Sequence, residues 1–172
     1  DLEQMNATRL TSGGGNDAGG VVSPDGRWLL FTSDREGGDY RFYRMPLAGG
    51  AAPTSLLEGT GTLHSIAYPS RMIGFSLVSA NDGLDAYTMA VADDGTPAGK
   101  PILVAGGTGD QASPTVSADG TLVAYQSAES GRDEVYVSRL GDPGSRRRVT
   151  NDGGAIPLWN RDGTRLFYMS GN

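Results

Sequence analysis

Cysteine is absent from the 172 residues, and histidine occurs only once. The first absence removes disulfides, thiolate metal sites and cysteine nucleophiles together. The second means that any Ser-His-Asp chemistry must pass through His64. No apolar run reaches the roughly eighteen residues of a membrane-spanning helix, so no membrane insertion is expected. Basic residues are in the minority, with 14 Lys and Arg against 20 Asp and Glu and a net charge of −6. Nucleic-acid surfaces lean on clustered cations, so a nucleic-acid partner is not expected. The one basic run, Arg146-Arg147-Arg148, reads as a solvated strand edge. The chain opens on Asp1 with no initiator Met, charged n-region or apolar h-region, so any signal peptide is expected to lie outside it.

Glycine and proline are plentiful instead, at 27 and 9 residues, and they punctuate a repeat. The unit is clearest from Val22 to Ser33: a short strand, an Asp25-Gly26 turn and a second strand. Asp-Gly between apolar runs is a hairpin signal, because glycine accepts positive φ at little steric cost. Val116 to Ser127 and Trp159 to Ser170 are further copies. In all three the Asp is followed by an aromatic (Phe31, Tyr125, Tyr168) and then a serine (Ser33, Ser127, Ser170) at the same spacing. A degenerate copy, Ser65 to Ser76, has Pro69 in register with Pro24 but reads as having lost the Asp-Gly and one residue.

Alternating runs follow each hairpin at Tyr40 to Met45, Ala86 to Val91 and Glu134 to Arg139, and fourth short runs at Ser55 to Leu57, Ile102 to Ala105 and Arg147 to Thr150. Nothing reads as a helix. Four strands per repeat of this length predict an all-β chain, a β-propeller of four-stranded blades. The blade units fall at residues 12–57, 58–105 and 106–150, with a split blade from 151–172 plus 1–11. In that split blade, residues 1–6 are the expected third strand and Thr8 to Thr11 the fourth, which would close a four-bladed ring. The alternative is an arc of a larger propeller. An arc is expected to expose one blade face at each end and therefore to self-associate, since four large apolar side chains left in water forfeit on the order of 10 kcal/mol.

The segment Ser23 to Arg35, with Ser117 to Arg132 and Asn160 to Ser170, resembles the WD40-like (PD40) repeat of the TolB-like propellers. Repeats of this kind occur in TolB itself, in the gating propellers of tricorn and prolyl-oligopeptidase-type serine peptidases, and in the extracytoplasmic part of some bacterial serine/threonine kinases. The run Gly154 to Gly163 looks most like the kinase-attached kind. The resemblance implies a non-catalytic protein-interaction or sensor module in the periplasm or another extracytoplasmic space.

Little catalytic chemistry is legible. Ser65 cannot partner His64 on an extended strand, because successive side chains leave opposite faces. Gly74-Phe75-Ser76 is not followed by the glycine of a nucleophile elbow. Gly107 to Ala112 imitates a dinucleotide fingerprint, but a strand follows it instead of a helix, and Gly99-Lys100-Pro101 lacks the Ser or Thr of a P-loop. Each Asp-Gly has a turn to make and no Asp-x-Asp-x-Asp-Gly run exists, so neither metal nor cofactor is expected. Binding is expected instead on the loops between second and third strands, which gather at one face of a propeller. Their candidates are Asp34, Arg35, Asp82, Asp85, Glu129 and Arg132, joined by His64, with a protein or small ligand as the partner.

Overall fold

A computed structural model of the chain describes residues 7–80 and 83–170. Three complete antiparallel sheets follow one another, each in simple sequential strand order. The first holds β1 (Asp17–Val22), β2 (Trp28–Ser33), β3 (Arg41–Pro46) and β4 (Thr54–Leu57). The second holds β5 (Gly61–Ala67), β6 (Met72–Val78), β7 (Leu84–Ala90) and β8 (Ile102–Ala105). The third holds β9 (Gln111–Val116), β10 (Leu122–Ser127), β11 (Glu134–Arg139) and β12 (Asp142–Arg148). A two-stranded sheet of β13 (Gly154–Trp159) and β14 (Leu166–Ser170) ends the described residues. Successive sheets meet through their first strands, β1 against β5, β5 against β9 and β9 against β13, as in propeller blades around an axis.

The Asp-Gly turns explain their own sequence. Gly26, Gly120 and Gly163 adopt φ of 73°, 76° and 73°, and their N–H groups donate to Ser23, Ser117 and Asn160 carbonyls. The aspartates keep negative φ and work through their side chains. Asp25 Oδ1 accepts from Ser23 Oγ (2.6 Å) and the Arg27 N–H (2.9 Å), and Asp119 Oδ1 does the same with Ser117 Oγ (2.6 Å) and the Thr121 N–H (3.0 Å). In the last copy Asn160 stands where serine stands elsewhere, and its Oδ1 takes the Arg165 N–H as Ser23 Oγ takes that of Trp28. The degenerate turn is corrected by the register. Ala67 pairs with Met72 around four residues, as Ser23 and Trp28 flank Pro24 to Arg27, so no residue is missing and Tyr68, not Pro69, matches Pro24. Its left-handed residue is Arg71, at φ 56°, behind a cis Tyr68-Pro69 bond.

Each complete sheet carries one aromatic pair between its second and third strands. Phe31 faces Tyr43, Phe75 faces Tyr87 and Tyr125 faces Tyr136, with ring centroids 5.9, 5.8 and 5.8 Å apart. The pairs point toward the preceding blade. Phe75 meets Phe42 of the first sheet edge-on at 5.7 Å within a core that also holds Leu30, Leu63, Ile73 and Met89. Tyr125 and Tyr136 pack with Ala67, Met72 and Val104 of the second sheet.

The ends decide between the closed ring and the arc. Thr8 to Thr11 form no strand, while residues 1–6 lie outside those described, and β13 and β14 pair only with each other among the described residues. The fold is thus an open arc, not a closed four-bladed ring. Leu10 and Thr11 instead border a hollow beside β1 and Phe31, where they help to cover the first sheet. Arg35 lies over Phe31 and Tyr43, 4.9 and 5.0 Å from their centroids, and both rings are buried. Among the described residues it is the far end that exposes apolar surface on the scale expected of an arc: Ile156, Leu158, Phe167 and Met169 are each between 56% and 62% exposed. The last strand of the third sheet also lies earlier than Arg147 to Thr150, ending at Arg148, because Thr150 turns its hydroxyl onto the buried Glu134 and accepts the Val135 N–H (2.9 Å).

Candidate functional site

The innermost strands are bent. β1, β9 and β13 each carry an irregularity whose left-handed residue is Gly19 (φ 61°), Ser113 (φ 52°) and Ile156 (φ 51°). At Gly19 a Cβ would lie 2.1 Å from the Leu63 carbonyl oxygen, so only glycine fits between first and second sheets. In β5 the irregularity is one residue, His64, between Leu63 and Ser65. Bulges re-aim side chains. Here the bend turns His64 toward β6, where its Nε2 lies 3.0 Å from Ser76 Oγ.

Beyond these bends the four inner strands enclose a trough of about 780 Å³. Its walls are apolar, with Val21, Ile66, Tyr68, Val116, Leu158 and Trp159. The polar tips of the two aromatics are tied down, Tyr68 Oη donating to the Val22 carbonyl and Trp159 Nε1 to that of Thr115 (3.1 Å). Ser65 Oγ likewise donates to the Pro114 carbonyl (2.7 Å). No Asp or Glu borders the trough, and Arg161 is the charged group that does. The mouth is formed by one repeat position: Tyr68, Ala118 and Arg161 are the residues that match Pro24 in their turns.

His64 belongs to this trough and not to the loop face. Burial holds its imidazole down at about 4, so it is neutral near pH 7. The pairing with Ser76 resembles part of a catalytic set, yet Ser76 is fully buried with its hydroxyl directed at the Gln111 carbonyl (3.4 Å). A sealed hydroxyl presents no nucleophile to a substrate. Among the described residues no three His, Asp or Glu side chains gather as a metal site.

The charged loops after the second strands do share one end of the sheets, opposite the trough's mouth. There each described candidate is engaged. Asp34 accepts from the Asn16 N–H (2.6 Å) and side chain (2.9 Å), and these bonds hold its carboxyl below the usual range. Arg35 reaches Asp17 at 2.9 Å. Asp85 accepts the Gly107 N–H at 3.3 Å. Glu129 grips Arg146 with both oxygens (2.7 and 2.8 Å), and that guanidinium lies 4.9 Å over Tyr136. Arg132 pairs with Glu134 (2.7 Å) and donates to the Asn151 carbonyl. Glu134 is fully buried, and the Thr150 hydroxyl, Arg132 and the Gly153 N–H hold its carboxyl low. Asp82 lies outside the described residues. Asp34, Asp85 and Arg132 thus fasten each loop to the connector that leads into, or out of, its own sheet. Asn16 and Asn151 stand in segments without a motif and Gly107 in one that imitates a different motif, which is why sequence reasoning missed the role. Tyr68, Trp159 and Arg161 were missed as well, although aligning the four turns marks Tyr68 and Arg161 as residues a turn does not require.

Sheets of this order, packed through their first strands into an open arc around an apolar trough, define a TolB-like β-propeller fold. Solved structures agree. A TolB-type protein of Agrobacterium tumefaciens matches 88% of the chain at TM-score 0.73 and 22% identity, and TolB of Acinetobacter baumannii 99% at 0.74 and 20%. A puromycin-hydrolysing peptidase of Mycobacterium tuberculosis matches 92% at 0.71 and 19%. The chain spans about half of the two TolB structures, 53% and 44% of their lengths, and 28% of the peptidase. No protein-family model matches it.

Proposed function

We propose that the chain is a non-catalytic recognition module of TolB-like propeller type, and that it works in an extracytoplasmic space. The observation that carries this reading is the trough: a concavity of about 780 Å³ walled by apolar side chains from all four sheets, its polar tips already satisfied. Such a site offers shape and dryness to a ligand, and the one imidazole in its lining, His64, is buried against Ser76 and has no carboxylate beside it in the trough. The charged loop face, with Asp34, Arg35, Asp85, Glu129 and Arg132, serves chiefly to fasten each sheet's loop to its own connector. The location follows from the TolB likeness.

Selection of displayed peptides on the 172-residue chain tests the reading. Binders are expected from the wild type and lost on Ala118→Trp, which fills the trough's mouth, while the melting temperature stays the same. Binders that ignore Ala118→Trp would refute the trough as the site. Peptide hydrolysis by the isolated chain, abolished by His64→Ala, would refute the non-catalytic reading. A second reading, a gating propeller of a serine peptidase, is favoured by the match to the peptidase structure. It predicts that supplying a peptidase domain in trans restores hydrolysis only with the propeller present.

A further inference from the structure

The trough's lining is unlike the rest of the protein. The chain carries 20 acidic residues and a net charge of −6, yet this concavity of about 780 Å³ is free of carboxylates. The cation on its rim is Arg161, which is exposed and has no ion pair or hydrogen bond among the described residues; Arg41, Arg139, Arg148 and Arg165 also lack ion pairs, but Arg161 is the one that lines the trough. Local structure does not need it. The same turn position holds Pro24, Tyr68 and Ala118 in the other copies, and the fourth turn is closed by Asn160, Asp162 and Gly163 instead. An unpaired guanidinium at the mouth of an apolar, acid-free groove is a receptor for an anion attached to an apolar body. Arginine suits a carboxylate in particular, because its planar fork matches two oxygens at once.

We propose that the trough takes the carboxyl-terminal end of an apolar polypeptide segment, with Arg161 holding the terminal carboxylate and Tyr68, Leu158 and Trp159 walling the last side chains. This rests on the recognition-module reading above. A carboxyl terminus sets its carboxylate at the end of an apolar run, which matches a single guanidinium at the rim of apolar walls, whereas an internal acidic residue would send chain past the rim in both directions. A free terminus supplies one carboxylate and no further charge, matching the single cation present.

The probes are short synthetic peptides ending in leucine, isoleucine or phenylalanine, each made as the free acid and as the C-terminal amide. Titration followed by tryptophan fluorescence is read on wild type, Arg161→Gln, Arg161→Lys and Ala118→Trp. The acids are expected to bind roughly tenfold or more tighter than the amides, the size of a charge-assisted hydrogen bond. Arg161→Gln is expected to abolish that preference while leaving amide binding, and Arg161→Lys to restore part of it. Acids and amides of equal affinity, both lost on Ala118→Trp, would overturn the carboxylate assignment and leave the recognition module standing. If neither form binds, both fall. Dodecanoate binding where the peptide acids do not would assign the trough to a fatty acid and overturn the peptide.

Discussion

Gly74→Ala separates the packing of the blades from the preferences of their strands. Gly74 sits in the middle of β6 without positive φ, so by strand propensity alone alanine is an improvement, gaining about 0.4–1 kcal/mol from a less flexible unfolded chain. Geometry reverses the sign. A Cβ built there would stand 2.0 Å from the Pro114 carbonyl oxygen and 2.6 Å from Ser65 Oγ. The first neighbour is backbone of the third sheet and cannot rotate away, and the second is already bonded to that same carbonyl. Relief requires the second and third sheets to part by more than an ångström, and overpacking of this kind costs about 1–3 kcal/mol. Taking the upper end because backbone meets backbone, and subtracting the unfolded-state gain, the net loss is roughly 2 kcal/mol, or about 4–8 °C in melting temperature for a chain of this size. Urea denaturation followed by circular dichroism reads it directly. Gly99→Ala is the control: nothing lies within 4 Å of its Cβ position, and it is expected to change little. A Gly74→Ala protein as stable as the wild type would refute the inter-sheet contact as drawn.

Burial lowers the His64 pKa from 6.5 to about 4, so between those values the unfolded chain takes up a proton that the folded one refuses, and stability falls with falling pH. The effect is on the order of 3 kcal/mol across the window at about 1.4 kcal/mol per tenfold, and His64→Gln should flatten that slope in urea midpoints measured from pH 7 to pH 4. Hydrogen bonds hold the Asp25, Asp119 and Asp162 carboxyls below 3.8, so their contribution is present above that pH and lost as pH falls through the lowered values; replacing all three by asparagine should reduce acid sensitivity there and lower the melting temperature at pH 7. Ile156→Asn places a residue tolerant of left-handed φ at an exposed, β-branched outlier and should stabilise the chain by about 1 kcal/mol, seen as a raised melting temperature. Arg44→Met removes a guanidinium 4.2 Å over the Trp28 ring and its pair with Asp94, and should lose about 1 kcal/mol with a shift in tryptophan emission.

The blades were legible because two independent signals coincide in the sequence, the Asp-Gly turn and the aromatic that follows it at fixed spacing. Both report on short-range geometry, which spacing encodes. The Asp119 network spans only Ser117 to Leu122, and Tyr125 and Tyr136 meet across one hairpin. The site was not legible for the opposite reason. Trp159 and Tyr68 come together only once four sheets have been fanned around an axis, and nothing local to either residue announces it. Charge misled in a similar way: Asp34, Glu129 and Arg132 look free in a polar loop, but their partners Asn16, Arg146 and Asn151 lie 17 to 19 positions away along the chain. The degenerate second copy was misread by one residue because Pro69 resembles Pro24 in type, whereas the ladder, through Ala67 and Met72, keeps count by position.

The unlike ends of the arc give it a direction. At one end Phe31, Tyr43 and Met45 are buried, with Arg35 over the two rings and Leu10 and Thr11 bordering the hollow beside Phe31, while at the other Phe167 and Met169 stand open. A repeat array with two sticky ends adds units head to tail without limit, as a fibre does. An array with one covered face and one open face can be extended from the open side alone. Among the described residues it is therefore the β13–β14 side that offers apolar area to whatever packs next in the array, while a guanidinium resting on two rings closes the other.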